Sequence, residues 1–254
     1  MELILGVIIF CFGCIIGSFL NVCIFRIPKE ESIAFPPSHC GYCKHKLGPK
    51  DLVPIFSFLF LKGKCRYCNT KVSKQYPLVE AFTGVLFLVL FIKFGLSLEF
   101  LKFISLTAIL IVIGIIDYKT QYVYTSNIIL GVIFGVLFII IKLFIGGDIN
   151  LINIALGVII PALILLIIVV TTNAMGMGDV EIIFMVGFFL NMKLNLLNLF
   201  LSIVLGGIAA IYLMISKKKS GKEEMAFGPY IAISTYITIL FGNDILNWYF
   251  GTFF

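Results

Sequence analysis

Charge is what this sequence has least of. Only 13% of its 254 residues are Asp, Glu, Lys or Arg, where a soluble domain carries about a quarter. That scarcity excludes an ordinary water-soluble enzyme. Low-complexity tracts are absent and no internal repeat is evident. No Gly-x-Gly-x-x-Gly loop follows a strand pattern, so a conventional dinucleotide-type site is excluded as well. A basic leading region is also missing. Glu2 precedes the first apolar run and Arg26 follows it, so the run reads as an uncleaved anchor, not a removable signal peptide. What fills the chain is apolar: 61% hydrophobic residues, with a mean hydropathy of +1.13. Apolar stretches of about 20 residues recur, the length a bilayer core demands of a spanning helix.

The hydropathy pattern predicts an all-α polytopic membrane protein with about eight transmembrane helices, near residues 3–25, 77–94, 99–117, 125–145, 151–171, 178–190, 194–216 and 226–246. Fifteen of the 19 Lys and Arg residues fall in alternate connections: ten in 26–76, then Lys119, then Lys217, Lys218, Lys219 and Lys222. The positive-inside rule therefore places the amino terminus outside and these connections in the cytoplasm, which also accounts for the net charge of +6. Three parts result: a first transmembrane helix (1–25), a small cytoplasmic module (26–76) and a membrane core (77–254). The module holds Pro28, Pro36, Pro37, Pro49 and Pro54 and both histidines, and is expected to be loops and short strands. It is too small to rest on a hydrophobic core alone.

Four of the seven cysteines are in that module, in HCGYC (39–43) and KCRYC (64–68). Cys40, Cys43, Cys65 and Cys68 make CxxC–x21–CxxC, two knuckles suited to tetrahedral zinc. A reducing cytoplasm argues against disulfides there. Unligated thiols or a redox pair are the alternatives, the latter lacking a βαβ context. Four thiolates would close the coordination shell, so the expected zinc is structural. His39 and His45 flank the first pair and read as solvated loop residues. Cys11, Cys14 and Cys23 lie within the first span and read as small packing residues.

Acids inside apolar segments are costly, and each is a candidate for function. Asp117 closes TAILIVIGIID, and Asp179 opens DVEIIFMVGFF 62 positions later. The topology puts both at the cytoplasmic end of their spans. Two carboxyls brought together in a low-dielectric site cannot both ionise cheaply, so one keeps a proton. The ionised partner then takes a proton from a shared water while the neutral one polarises a carbonyl, as in aspartic proteases. Gly176 and Gly178 bracket this position without side chains, which would let backbone approach an extended peptide. The plainer alternative is that both acids border helices at the water interface. Their combination with Gly-x-Gly-Asp favours the catalytic reading.

These residues resemble a known family, the type IV prepilin peptidases, membrane aspartic proteases of the GxGD kind. GSFLNVCIFRIP (17–28), PPSHCGYC (36–43), KGKCRYC (62–68), VSKQYPLVEAFTG (72–84), IID ending at Asp117, GMGD ending at Asp179 and FGPYIAI (227–233) occur in the family's order. The resemblance implies cleavage of the basic leader of prepilins or pseudopilins after a glycine, at the cytoplasmic face of the bacterial inner membrane. It also implies methylation of the new amino terminus from S-adenosylmethionine. By resemblance Asp117 and Asp179 are the proteolytic pair, and the four cysteines hold the zinc module of the long bifunctional form. Two departures stand out. Glu181 replaces a usual lysine, two positions after Asp179 and expected on a different helix face. Tyr124 and Thr125 stand where Pro-Asp is common.

Glu80, about one turn into the second span, is a candidate contact for the leader's basic residues or the new amine. Its plainer reading is an interior acid paired with Arg26 or a lysine. Arg26 and Asn21 read as headgroup anchors, and Gly228 and Pro229 as the start of the last span. A preflagellin-type protease without methyltransferase activity is the nearest rival reading. A transporter or scaffold whose acids carry protons would instead place them near the bilayer midplane.

Overall fold

The structure is a computed structural model that describes residues 2–172, 175–216 and 225–253. Lys217, Lys218, Lys219 and Lys222, on which part of the charge argument rests, lie outside the described residues.

Each expected span falls on a helix. These are α1 (Glu2–Arg26), α3 (Gln75–Phe94), α4 (Leu98–Thr120), α5 (Thr125–Phe144), α6 (Leu151–Thr172), α7 (Met177–Gly187), α8 (Met192–Ile215) and α9 (Gly228–Phe253). A five-residue helix, α2 (Phe56–Phe60), lies in the insert. Among the described residues six of these helices, α1, α3, α4, α5, α6 and α8, are long and apolar enough to cross a membrane. At 11 residues α7 reaches only about 16 Å, short of a hydrocarbon core of about 30 Å. α9 has 26 residues, but Ser234, Thr235, Thr238, Asn243 and Asp244 dilute its apolar character. The insert forms no strand among the described residues. In place of the expected short strands it has two isolated bridges, His39 to Lys46 and Lys64 to Lys71.

The chain divides into two compact units, residues 1–100 and 101–254. In the first, α1 and α3 pack backbone against backbone: a Cβ added to Gly13 would sit 2.7 Å from the Gly84 Cα. Without hydrophobic drive between helices in lipid, such close approach supplies the packing energy. Cys14 and Cys23 are buried in this unit, whereas Cys11 is exposed and plays no packing part.

In the second unit the short α7 is the core. Ile182, Ile183, Met185 and Val186 are wholly covered by neighbours that include α5, α6, α8 and α9. A buried polar network fixes this arrangement. The Asn195 amide donates to the Gly157 carbonyl of α6 (2.8 Å) and the Ile183 carbonyl of α7 (3.2 Å). Asn198 donates to Asn195 Oδ1 and accepts from the Ser234 and Thr235 hydroxyls of α9. With no water to compete in an apolar surrounding, these bonds lock the rotation of α7 and α9, the two helices that begin at the site described next.

Candidate functional site

Asp117 lies in the last turn of α4. The helix stops there because Gln121 takes a left-handed conformation, φ 55°. Asp117 is 4% exposed and its Oδ2 accepts the Gly228 amide at 2.8 Å. A Cβ on Gly228 would fall 2.8 Å from the same oxygen, so only glycine lets the start of α9 come this close.

Asp179 occupies the third position of α7, behind the N-cap Gly176. Its Oδ2 reaches back to accept the Gly176 amide at 3.1 Å, and its own amide donates to the Gly176 carbonyl at 3.1 Å. An acid in the first turn satisfies an orphan amide and suits the positive end of the helix dipole. The carboxylate is 6% exposed. It is near enough to Asp117 to feel that group's charge.

Both acids line a single cavity of about 380 Å³. Its walls come from the end of α4, the following loop (Gln121, Tyr122, Val123), the segment 175–181 and residues 225–227. Gly176 and Gly178 line it too. Gly178 has a further reason to be glycine: a Cβ there would strike the Val123 side chain at 2.7 Å, so it also admits the chain's own loop. Glu181 also lines the cavity, a correction to its expected placement on another face. No Lys, Arg or His is among the described lining residues.

Glu80 is not one of them. It is buried in the first unit, where it accepts the Ile55 amide at 2.7 Å. Nor does it pair with Arg26, whose guanidinium donates to the Ser32 and Pro36 carbonyls at 2.8 and 2.7 Å.

The four module cysteines gather with their Sγ atoms all within 4.8 Å of one another. Each pair sits on the same turn. Cys40 N–H donates to His45 O and Lys44 N–H to Cys40 O; Cys65 N–H donates to Thr70 O and Asn69 N–H to Cys65 O. Lys44 and Asn69 both take left-handed backbone, φ 60° and 58°. The knuckles therefore repeat one another at a spacing of 25 residues, a repeat that shows in sequence only as a shared CxxC. Cys40 and Cys68 Sγ atoms lie 3.8 Å apart, far too long for a disulfide and close to the edge of a tetrahedron with metal–sulfur bonds of about 2.3 Å. The Cys68 thiol is drawn down to about 6, chiefly by the Thr70 hydroxyl 3.3 Å away. His39 and His45 stay outside the cluster. His45 stacks on Tyr67, with ring centroids 3.6 Å apart, and so braces the two knuckles.

Comparison with known proteins gives these features a lineage. A family model described as "Bacterial Peptidase A24 N-terminal domain" matches residues 11–94, and one described as "Type IV leader peptidase family" matches residues 104–211. A Prepilin leader peptidase/N-methyltransferase of Bacillus subtilis (strain 168) is 31% identical over 242 residues, 95% of this chain and 96% of that protein. The chain belongs to the type IV leader peptidase family. A second relative of the same name, from Neisseria gonorrhoeae, is 32% identical over 270 residues, 93% of this chain and 92% of its own. No solved structure matches the chain at a comparable level. Membership in the leader peptidase family and the row of long apolar helices together make it a multi-pass membrane protein.

Sequence reasoning missed how this leader peptidase chain holds its acids. Gly228 was expected to start a helix, and it does, but its amide is also the anchor of Asp117. No chemical group in FGPY announces that role, because the working part is backbone.

Proposed function

We propose that the chain cleaves the basic leader of prepilins or pseudopilins after a glycine, with Asp117 and Asp179 as the catalytic pair, and methylates the new amino terminus with S-adenosylmethionine. The observation that carries the proteolytic half is one cavity lined by two buried acids from distant segments, each carboxylate held through Oδ2 by a glycine amide. Among the described residues no hydrogen bond reaches either Oδ1, which leaves that oxygen of each acid for water or substrate. A water between them loses its proton to the ionised acid and adds to the scissile carbonyl carbon. The protonated acid hydrogen-bonds the carbonyl oxygen, and the departing amine then takes a proton as the C–N bond breaks. Asp179, favoured as an anion by the start of α7, is the base in this scheme. Gly176 and Gly178 border the path of the substrate backbone.

The same reading puts eight membrane-associated helices in the cytoplasmic (inner) membrane, with the amino terminus outside and the cavity opening toward the cytoplasm. α7 enters only part of the bilayer. Zinc fits the four cysteines by donor type and spacing: Cys40, Cys43, Cys65 and Cys68 would hold it, and its part is to fasten the module. For S-adenosylmethionine the case rests on the relatives' names. A conventional strand–glycine loop–helix site does not fit a chain with no strand among the described residues, and we assign the cofactor no residues. Glu80, held by Ile55, is a less direct substrate contact than Gly176 or Gly178.

The deciding experiment is the product mass from a prepilin incubated with purified protein in liposomes and S-adenosylmethionine. Loss of the leader plus one methyl group is expected. An unmethylated product leaves the protease alone, and an intact prepilin ends the proposal.

A further inference from the structure

Residues 52–61, LVPIFSFLFL, are apolar except for one serine, yet they belong to the lysine-rich insert. Leu52, Val53, Phe56, Leu59 and Phe60 are 42%, 44%, 59%, 62% and 83% exposed. Phe56, Leu59 and Phe60, three and four apart, make one stripe on α2, the pattern by which a helix normally faces a core, and Leu52 and Val53 lead into it. Here no described residue covers the stripe.

The depth of the stripe identifies the cover. The Asn21 amide of α1 donates to the Tyr76 carbonyl of α3 at 3.1 Å, so these two residues share a level. The Glu80 Cα lies 2.8 Å from where a Gly17 Cβ would be, so Glu80 is level with Gly17. Phe25, one turn beyond Asn21, is half exposed, with the Lys29 ammonium 3.6 Å from its ring centroid. An outward aromatic topped by a lysine marks the headgroup boundary. Glu80 is thus eight residues of helix, about 12 Å, below that boundary. Leu78 and Phe82, exposed on either side of it, face lipid at the same depth.

The Glu80 carboxylate accepts the Ile55 amide at 2.7 Å. A glutamate side chain and one hydrogen bond do not span the distance back to Phe25. The Ile55 amide, at which α2 begins, therefore lies below the boundary.

We propose that residues 52–61 are seated in the bilayer that the chain itself spans. Phe56, Leu59 and Phe60 sit among the upper acyl chains, and Glu80 is the tether. Lys50, Lys62 and Lys64, all exposed, flank the stripe and meet anionic headgroups. The covered face continues the lipid-facing surface of α1 and α3. It requires no second protein.

The chain's single tryptophan makes a direct test possible. Full-length Trp248→Phe/Phe60→Trp protein is placed in phosphatidylcholine/phosphatidylglycerol vesicles, and its fluorescence is quenched with bromolipid or with iodide. Lipid brominated near the headgroup should quench at least half the emission and iodide almost none. A tryptophan at Lys62 in the same background should show the reverse. Strong iodide quenching at position 60 overturns the proposal, as does shielding from both quenchers, which would mean a protein partner. Bromolipid quenching that fades as the protein-to-lipid ratio rises would mean a second copy and overturns it too. Adding Glu80→Ala should shift position 60 from bromolipid toward iodide; unchanged quenching would remove Glu80 as the tether.

Discussion

Two regions of the molecule cover an aspartate almost completely, and they treat it in opposite ways. In the cysteine module the Asp51 side chain is 6% exposed and every approach to it is taken. Arg66 Nε donates to Oδ1 at 2.6 Å, while the Tyr67 hydroxyl (3.1 Å) and the Gly48 amide (3.0 Å) donate to Oδ2. In the cavity, Asp117 and Asp179 are buried, yet among the described residues each is given one amide and no cation. A carboxylate with both oxygens engaged, one of them by a cation, holds structure together and is inert. One held by a single oxygen in a pocket keeps its second oxygen for water or substrate, at a cost in stability that the surrounding helices must offset.

The contrast breaks most plainly at the acids themselves. Asp117→Asn and Asp179→Asn should each lower leader cleavage by at least ~10²–10⁴-fold, with membrane insertion and metal content unchanged. Asp51→Asn should leave cleavage within a few-fold. An Asp51 variant as inactive as the other two would show that the difference in hydrogen bonding does not track chemistry. Next in size is the metal. A Cys40→Ser/Cys65→Ser variant should lose bound zinc in metal analysis and become sensitive to protease between residues 26 and 74, because Asp51, Tyr67 and His45 brace knuckles that the metal closes. Metal retained in full would remove these cysteines as ligands.

The module was legible because its chemistry is local. Two CxxC pairs point to a four-sulfur cluster within 29 residues, and the structure adds the gathered Sγ atoms, the shared turn and the Asp51 hub. Helix positions were legible for a similar reason, since an apolar run near 20 residues has one use. The cavity was harder. Asp117 and Asp179 were visible as acids out of place, but their meeting depends on α7 being buried by four helices and fixed by Asn195, which no periodicity reveals. The cavity-facing position of Glu181 and the packing of Gly178 against Val123 were not legible for one underlying reason. Which face a residue presents in a short, buried helix start is settled by tertiary neighbours such as Val123, not by its place in a motif.

Gly228→Ala sharpens the comparison from the side of the backbone. The amide survives, but the new methyl would sit 2.8 Å from Asp117 Oδ2 and force the two apart. With Asp117 the protonated partner, this is a neutral hydrogen bond worth about 0.5–1.5 kcal/mol, so cleavage should fall roughly two- to ten-fold, read as kcat in the prepilin assay while KM holds. Wild-type kcat would mean that Asp117 does not need this anchor.

The smallest effect belongs to Asp51, and there pH separates charge from neutral hydrogen bonds. Arg66 holds the Asp51 carboxyl below its ordinary value near 4. A carboxylate depressed in the folded state stabilises the fold above about pH 4 and stops doing so as the pH falls through its folded value. Arg66→Ala should therefore make the module modestly easier to nick with protease at pH 7. The gap from wild type should close as the pH is lowered past 4, even though zinc release weakens both proteins in that range. Because Arg66 is 46% exposed, high salt should narrow the gap at pH 7 as well. A gap indifferent to both pH and salt would mean that Asp51 is held by the Gly48 amide and the Tyr67 hydroxyl alone. The two regions would then differ in the number of hydrogen bonds each carboxylate accepts, and not in whether a cation answers it.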